Sequence, residues 1–470
     1  MEEGRRISSS ADQHATSAAP HGMTIAALMI AAAQAPLGST LIAVALPSIS
    51  LGFDADLVLV TGLLVTAYLT VNVVGQGPAG KLGDQLGHAR IFRIGMALYA
   101  LGALIGVVAP AIWLLVVSRC TMAAAGAMVV PSTLALLRVH MPAERQGRVF
   151  GLFGATMAFS AAVGPVLGGV LVGLFGWRSI FLASLPFLAV ATVMLRLHPL
   201  PGSAASSRGP TKGRLAGFDL PGVAFLTVAL SLFIVASKAD GAARLILIVM
   251  AGIGAVGFVL WELRAQAPVL DPRLFRNSAF VAGTGIIALQ NFAMYGLLFQ
   301  LPQFFEKYRD AAPIAVGVML FTMMIGMVGA SPIGGRMSDR FGPRLTALAG
   351  ATPLLLGLLL LSRLVAFSTP FDAAPGLLLC GIGLGLCTAP AQASSMSSVP
   401  RERAGMAAGT SSTMRYLGGI ASILVLGLVL GNNDLVSAAR HEAMVWIFVC
   451  AAGASAVLAA WLPTRVRAAG

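Results

Sequence analysis

From Met23 onward this chain is a succession of apolar runs, each about as long as a bilayer's hydrocarbon core is thick. A helix needs roughly 20 mostly apolar residues to cross that core. Runs of this kind cover 23–46, 57–77, 91–109, 111–136, 148–175, 179–197, 219–237, 243–262, 278–302, 313–333, 344–364, 374–396, 404–430 and 442–462, which predicts fourteen spanning helices. Composition agrees, since 57% of the residues are hydrophobic and only 10% charged, more apolar surface than a water-soluble core holds. Residues 1–22 read as a disordered polar tail, and 464–470 as a second, short one. The run from Met23 to Leu46 is long enough to span and has no convincing cleavage site, so it reads as a retained helix rather than a signal peptide. Cys120, Cys380, Cys387 and Cys450 all sit in apolar runs without a CxxC or Cys/His cluster. They read as small buried residues, not disulfides or metal ligands.

The formal charge of +13 does not point to nucleic acid, because the bases flank apolar runs. With the N-terminus placed in the cytoplasm, the inner segments carry 22 Lys and Arg and the outer segments 6. That asymmetry predicts both termini in the cytoplasm.

A glycine-rich polar stretch that reads as a loop, Gly80-Lys81-Leu82-Gly83-Asp84-Gln85-Leu86-Gly87 up to Arg90, returns as Gly335-Arg336-Met337-Ser338-Asp339-Arg340-Phe341-Gly342, offset by 255 residues. Such a match indicates a duplicated unit. Each Gly permits a tight turn or a close helix contact. Each Asp can meet the unpaired N–H groups at a nearby helix start. The first copy joins apolar runs 2 and 3 and the second joins runs 10 and 11, an offset of eight where a plain six-plus-six duplication gives six. Two helices are therefore inserted between the halves. The expected organisation is a six-helix bundle over 23–198, a Pro/Gly/Ser-rich cytoplasmic linker over 199–217, an inserted pair over 218–264 and a second bundle over 265–463.

Ser160, Gly164 and Gly168 are spaced by four, so small residues line one face of the fifth helix and let a neighbour approach closely. Gly164-Pro165 is expected to bend that helix. Arg119 lies about a third of the way into the fourth helix and Arg415 near the middle of the thirteenth. A charge at such depth costs several kcal/mol unless paired or hydrated. The plainer alternatives are snorkelling for Arg119 and backbone-carbonyl pairing for Arg415. Tyr68, Gln34, Gln290 and Asn291 are further polar candidates, each also explicable as a helix–helix hydrogen bond.

These motifs resemble those of the major facilitator superfamily. The first glycine-rich stretch is similar to that family's loop between helices 2 and 3. Gly151-x8-Ser160-x3-Gly164-Pro165-x2-Gly168-Gly169 resembles its antiporter motif, with Ser160 where Gly is usual. Val44-Ala45-Leu46-Pro47, Gly176-Trp177-Arg178-Ser179-Ile180-Phe181-Leu182, Leu274-Phe275-Arg276-Asn277 and Arg415-Tyr416-Leu417-Gly418-Gly419 resemble its fourteen-helix drug/proton antiporter branch. The resemblance implies an all-α major facilitator fold rocking around a central cavity. It makes Arg119 the helix-4 arginine implicated in proton coupling, with Met122 and Ala123 in place of the usual Gln and Gly. It also implies export of hydrophobic or amphiphilic small molecules in exchange for protons. The sequence holds no cofactor or ATP motif, the placement of its bases speaks against nucleic acid, and a monomer in the bilayer is the expected state.

One departure bears on mechanism. Position 38, usually Asp in that branch, is Gly, position 43, usually Asn, is Ala, and all 18 acidic residues lie in tails, loops or helix ends. Proton carriers are then sought among Asp54, Asp56, Glu306, Asp310 and Asp84. The alternatives to a drug/proton antiporter are a dedicated metabolite exporter or facilitator without proton coupling, and a non-transporting sensor or structural protein. An integral membrane enzyme lacks the clustered His, Asp, Glu or Cys it needs.

Overall fold

The computed structural model describes residues 22–55, 60, 62–199, 219–236, 239, 241–265, 272–311, 313–430 and 438–464. The polar tail up to residue 21, the linker over 200–218, Asp56 and the segment 465–470 lie outside the described residues. Those described are helical with short turns, and no strand occurs among them. The long helices are α1 (Gly22–Gly52), α2 (Ala67–Leu86), α3 (His88–Val108), α4 (Ile112–His140), α5 (Ala143–Phe175) and α6 (Ser184–Leu197), then α7 (Leu220–Ala236) and α8 (Gly241–Arg264). They continue as α9 (Ser278–Arg309), α10 (Pro313–Phe341), α11 (Pro343–Leu361), α12 (Ala374–Ser397), α13 (Ala404–Leu430) and α14 (Ala438–Ala460).

Twelve helical stretches among the described residues are long and apolar enough to cross a membrane, α2 and α7 being the exceptions. The described part of α7 has only 17 residues. Helix α2 is diluted by Asn72, Gln76, Lys81, Asp84 and Gln85.

The helices also run past the apolar stretches that announce them. The glycine-rich stretches read from sequence as loops are helix ends: Gly80 to Leu86 belongs to α2, and Gly335 to Phe341 belongs to α10. Each helix stops at a single residue, Gly87 with φ 94° and Gly342 with φ 87°. That left-handed geometry favours glycine, so the last Gly of each copy is the break and the Asp lies on a rigid helix. Apolarity marks only the part of a helix in lipid, whereas backbone hydrogen bonding carries it further. The sixth apolar run departs the other way, splitting at Ala183 into a short Ser179–Leu182 turn of helix and α6.

Buried apolar side chains form one large cluster among α1 to α6, including Leu28, Phe92, Phe150 and Phe181. A second lies among α9 to α14, including Leu297, Phe304, Leu354 and Phe448. At one end the first cluster continues across the midline to Phe280, Met396 and Ala404, so the halves are packed shut there. Helices α7 and α8 pack on each other and meet the rest along the α2/α13 seam, where Leu226 and Phe258 join Val73, Val74 and Ile420. Only 11% of the α8 span is buried, so most of this helix faces outward.

Candidate functional site: paired helix caps and a central arginine–tyrosine cluster

Asp84 sits on the last turn of α2 and reaches across to α13. Its Oδ1 accepts a hydrogen bond from the Gly405 N–H at 2.8 Å, and its Oδ2 one from the Met406 N–H at 2.8 Å. Both amides are in the first turn of α13, where N–H groups lack intrahelical partners and carry the positive end of the dipole. Asp339 makes the corresponding two-bond contact from α10, accepting from the Gly147 and Arg148 N–H groups at 2.9 Å each, although these lie one turn inside α5, which starts at Ala143. His88 Nε2 adds a contact of 3.1 Å to Asp84 Oδ1. The two caps close the same end of the molecule, together with an Arg138 Nε–H donating to the Met396 carbonyl at 3.0 Å.

Glycine permits these crossings. A Cβ on Gly335 would lie 2.5 Å from the Gly147 carbonyl oxygen, and one on Gly409 2.6 Å from the Gln76 carbonyl oxygen. Gly80 and Gly405 face each other in the same backbone-to-backbone way. Arg90, the base ending the first copy, is exposed.

The fifth-helix motif divides between two neighbours. Gly151 faces α10, where a Cβ would come 2.5 Å from the Ser331 carbonyl oxygen. Gly164 and Gly168 face α1, packing on Thr40 and Leu41. Ser160 is buried and Gly169 meets open space. Of Pro165 only its place in α5 is described.

Arg119 is 2% exposed, which excludes an arginine snorkelling to the interface. Its Nη1–H donates to the Gly38 carbonyl at 3.2 Å, and its guanidinium lies 4.0 Å over the Tyr68 ring. Tyr68 donates its hydroxyl to the Ala35 carbonyl at 3.0 Å, and Tyr99 donates to the Gln34 carbonyl at 2.7 Å. The Tyr99 hydroxyl fills the space a side chain at Gly38 would need, so an acid there would collide with it. On the other half Arg415 Nη2–H donates to the Gln392 side-chain oxygen at 3.1 Å, a side-chain partner rather than a backbone carbonyl.

Tyr68, Tyr295 and Tyr416 lie within electrostatic reach of one another and bridge the two arginines. The chain has only five tyrosines, and four of them meet here. That scarcity was the signal in the sequence that could have singled out Tyr99, Tyr295 and Tyr416 beside Tyr68. Gln34 and Gln290 are buried, while Asn291 bonds within its own helix to the Ile287 carbonyl at 2.8 Å. Asp54 and Asp310 are exposed at the surface, and neither lies in the cluster. At Arg119, Arg415 and Gln392 each buried polar atom left without a partner is a donor: the two Nε–H groups and the Gln392 amide nitrogen. Gln34 Oε1 is an acceptor left without one.

The chain is thus a helical bundle whose halves are latched at one end by Asp84 and Asp339, with Arg119 and Arg415 between its helices. The Major Facilitator Superfamily model matches residues 28–423, and the chain belongs to this family of multi-pass membrane transporters. It is 34% identical over 406 residues to the multidrug resistance protein Stp of Mycobacterium tuberculosis, covering 84% of this chain and 73% of that one. It is 29% identical over 419 residues to the tetracenomycin C resistance and export protein of Streptomyces glaucescens, covering 87% of this chain and 76% of that one. Among solved structures, the proton:xylose symporter XylE superposes with a TM-score of 0.67 at 13% identity, over 93% of this chain and 94% of the other.

Proposed function

We propose that this transporter exports hydrophobic or amphiphilic small molecules out of the cytoplasm, in exchange for protons, by alternating access between two six-helix bundles. The resistance and export roles named for the two relatives support the direction and the broad cargo class. The bundles are 23–198 and 265–463, joined through the linker 199–217 and the inserted pair 218–264, for fourteen crossings in all. The observation that carries the cycle is the mirrored pair of cross-half caps, Asp84 on α13 and Asp339 on α5. Each is a contact that must break for the closed end to open. Gly151 and the paired glycines let that end close, while Gly164 and Gly168 hold α5 against α1.

The central cluster narrows the cargo. A buried donor without an acceptor is costly, and the donors left over at Arg119, Arg415 and Gln392 need oxygen-rich or anionic groups. The four tyrosines offer aromatic surface for a flat ring. Neutral, zwitterionic or acidic amphiphiles are therefore expected to leave faster than quaternary ammonium dyes, which the two arginines repel.

The test is efflux measured side by side for a weakly acidic aromatic amphiphile and a quaternary ammonium dye, in a host lacking its own pumps. Arg415→Ala should slow the acid about tenfold, as expected for loss of one charge-assisted hydrogen bond, and leave the dye unchanged. Strong dye export insensitive to Arg415→Ala, with no export of the acid, would overturn this cargo class.

The 22-to-6 distribution of bases supports insertion in the cytoplasmic membrane with both termini inside. A tag between Pro199 and Gly217 should react with an impermeant reagent only in inverted vesicles, and a tag beside Asn432 only in intact cells. Labelling of the linker in intact cells would refute this orientation.

A further inference from the structure

The four tyrosines at the centre are not equivalent. Tyr68 and Tyr99 are 2% and 1% exposed, and each donates its hydroxyl to a backbone carbonyl of α1. Tyr68 also lies under the Arg119 guanidinium. The Tyr416 ring packs into the α2/α13 seam against Val73, Val74 and Ile420. Tyr295 on α9 is committed to none of these contacts. It is half-buried, and its hydroxyl has no hydrogen-bond partner among the described residues.

Its ring is nevertheless held in place. A Cβ on Gly419 of α13 would lie 2.8 Å from Tyr295 Cδ2, 3.1 Å from Cγ and 3.2 Å from Cε2. A point beyond the ring edge would be markedly further from the two neighbours of the nearest carbon, so these near-equal distances place it over the ring face. The ring is thus stacked flat on the α13 backbone, and only glycine at 419 leaves room for it. The adjacent glycine does a different job. A Cβ on Gly418 would collide with the Ala288 carbonyl oxygen, so Gly418 sets the α9–α13 crossing and Gly419 sets the ring. One turn before Gly419, Arg415 lies within electrostatic reach of Tyr295. Arg415 and its partner Gln392 hold two buried donors without acceptors, the Nε–H and the amide nitrogen, and Gln392 is 1% exposed.

We propose that Tyr295, seated on Gly419, is the residue by which this transporter selects aromatic over aliphatic acids. The ring face turned away from Gly419 receives a flat ring of the cargo. The Tyr295 hydroxyl and the leftover donors of Arg415 and Gln392 take the cargo's carboxylate. The inference rests on the acidic-cargo reading above and names the side chain that carries its aromatic part.

The test reads binding rather than export, so the two readings can fail separately. Naphthaleneacetate and heptanoate are carboxylates of similar hydrophobicity that differ in the ring. Each is titrated calorimetrically against the full chain in nanodiscs, with empty nanodiscs as the blank. Wild type should bind naphthaleneacetate about fivefold more tightly than heptanoate, the size of one aromatic pair. Tyr295→Leu removes the ring, and Gly419→Ala pushes it off its seat while leaving the tyrosine in place. Both should bring the ratio of affinities to about one, a change that a general loss of folded protein does not produce. Tyr295→Phe should weaken both acids by a similar factor, about fivefold for one lost hydrogen bond, and keep the ratio. Gly419→Ala also decides the matter if leucine at 295 disrupts folding. A wild type that binds the two acids alike or binds neither, a ratio unchanged in Tyr295→Leu or in Gly419→Ala, or a ratio lost in Tyr295→Phe would each overturn the proposal. Ring-dependent binding without efflux of either acid would uphold it and remove the export reading instead.

Discussion

Asp84→Asn should lower the transport rate at least tenfold while the protein reaches the membrane in normal amount. The carboxylate accepts from two N–H groups at the start of α13, one on each oxygen. An amide has one oxygen to offer, so one N–H loses its partner and the charge–dipole attraction goes. A hydrogen bond to a charged group contributes about 1.5–3 kcal/mol, and a charge at a helix N-terminus about 0.3–2 kcal/mol. An alternating-access cycle keeps its two states within a few kcal/mol of each other. A loss of about 2 kcal/mol from one state therefore shifts their ratio roughly thirtyfold. Asp339→Asn breaks the mirrored contact and should act in the same direction and to a similar extent. The measurement is substrate efflux normalised to surface protein, alongside the distance between spin labels at Arg93 on α3 and Leu345 on α11, both exposed, which should lengthen in both variants. Wild-type efflux in a well-expressed Asp84→Asn protein would remove the caps from the mechanism.

The caps were half visible in the sequence. The repetition of Gly, base, apolar residue, small residue and Asp 255 residues apart marked both aspartates, and the chemistry of a short acid near a helix end indicated a capping role. Neither partner could be read. Gly405 and Met406 lie more than 300 residues from Asp84, and which helix start faces which acid is decided by three-dimensional packing. The extent of the helices was hidden for another reason. Hydropathy stops where lipid stops, whereas α2 and α10 continue through polar residues until a single left-handed glycine ends them.

The centre was legible in its charges and not in its surroundings. Arg119 and Arg415 stand out because a cation within an apolar run is costly. Gly38 looked like the mere loss of an acid, yet the structure puts the Tyr99 hydroxyl in that space. The acids thought to lie only at helix ends include Asp219 and Glu262, which are nearly inaccessible. Both do stand at helix ends, and the packing of α7 and α8 against α2 covers them. A helix end is exposed only if nothing packs over it, and no local pattern reports that.

Arg119→Met is expected to separate stability from transport. The guanidinium is buried, with one hydrogen bond to the Gly38 carbonyl, the Tyr68 ring beneath it and an Nε–H with no acceptor. Desolvating that charge is only partly compensated by these contacts. Replacing buried ionic groups by apolar ones of similar volume is commonly neutral or stabilising by about 1–4 kcal/mol. Methionine is unbranched and can follow the arginine's path between α1 and α2, so the variant should melt at the same temperature as wild type or above it. Transport should nevertheless fall about a hundredfold, because unit charges about 5 Å apart at an effective dielectric of about 20 interact by roughly 3 kcal/mol. On the cargo class proposed above, that is the attraction the variant removes from an acidic or strongly polarised molecule at the centre. Arg119→Lys keeps the charge but not the planar fork or the stacking on Tyr68, and should retain part of the activity. Melting in detergent and efflux per surface molecule, measured on the same three proteins, decide the matter. If Arg119 were held only for packing, the methionine variant would melt lower and lose efflux in proportion to its abundance. A stable, fully active Arg119→Met protein would exclude this arginine from the transport step.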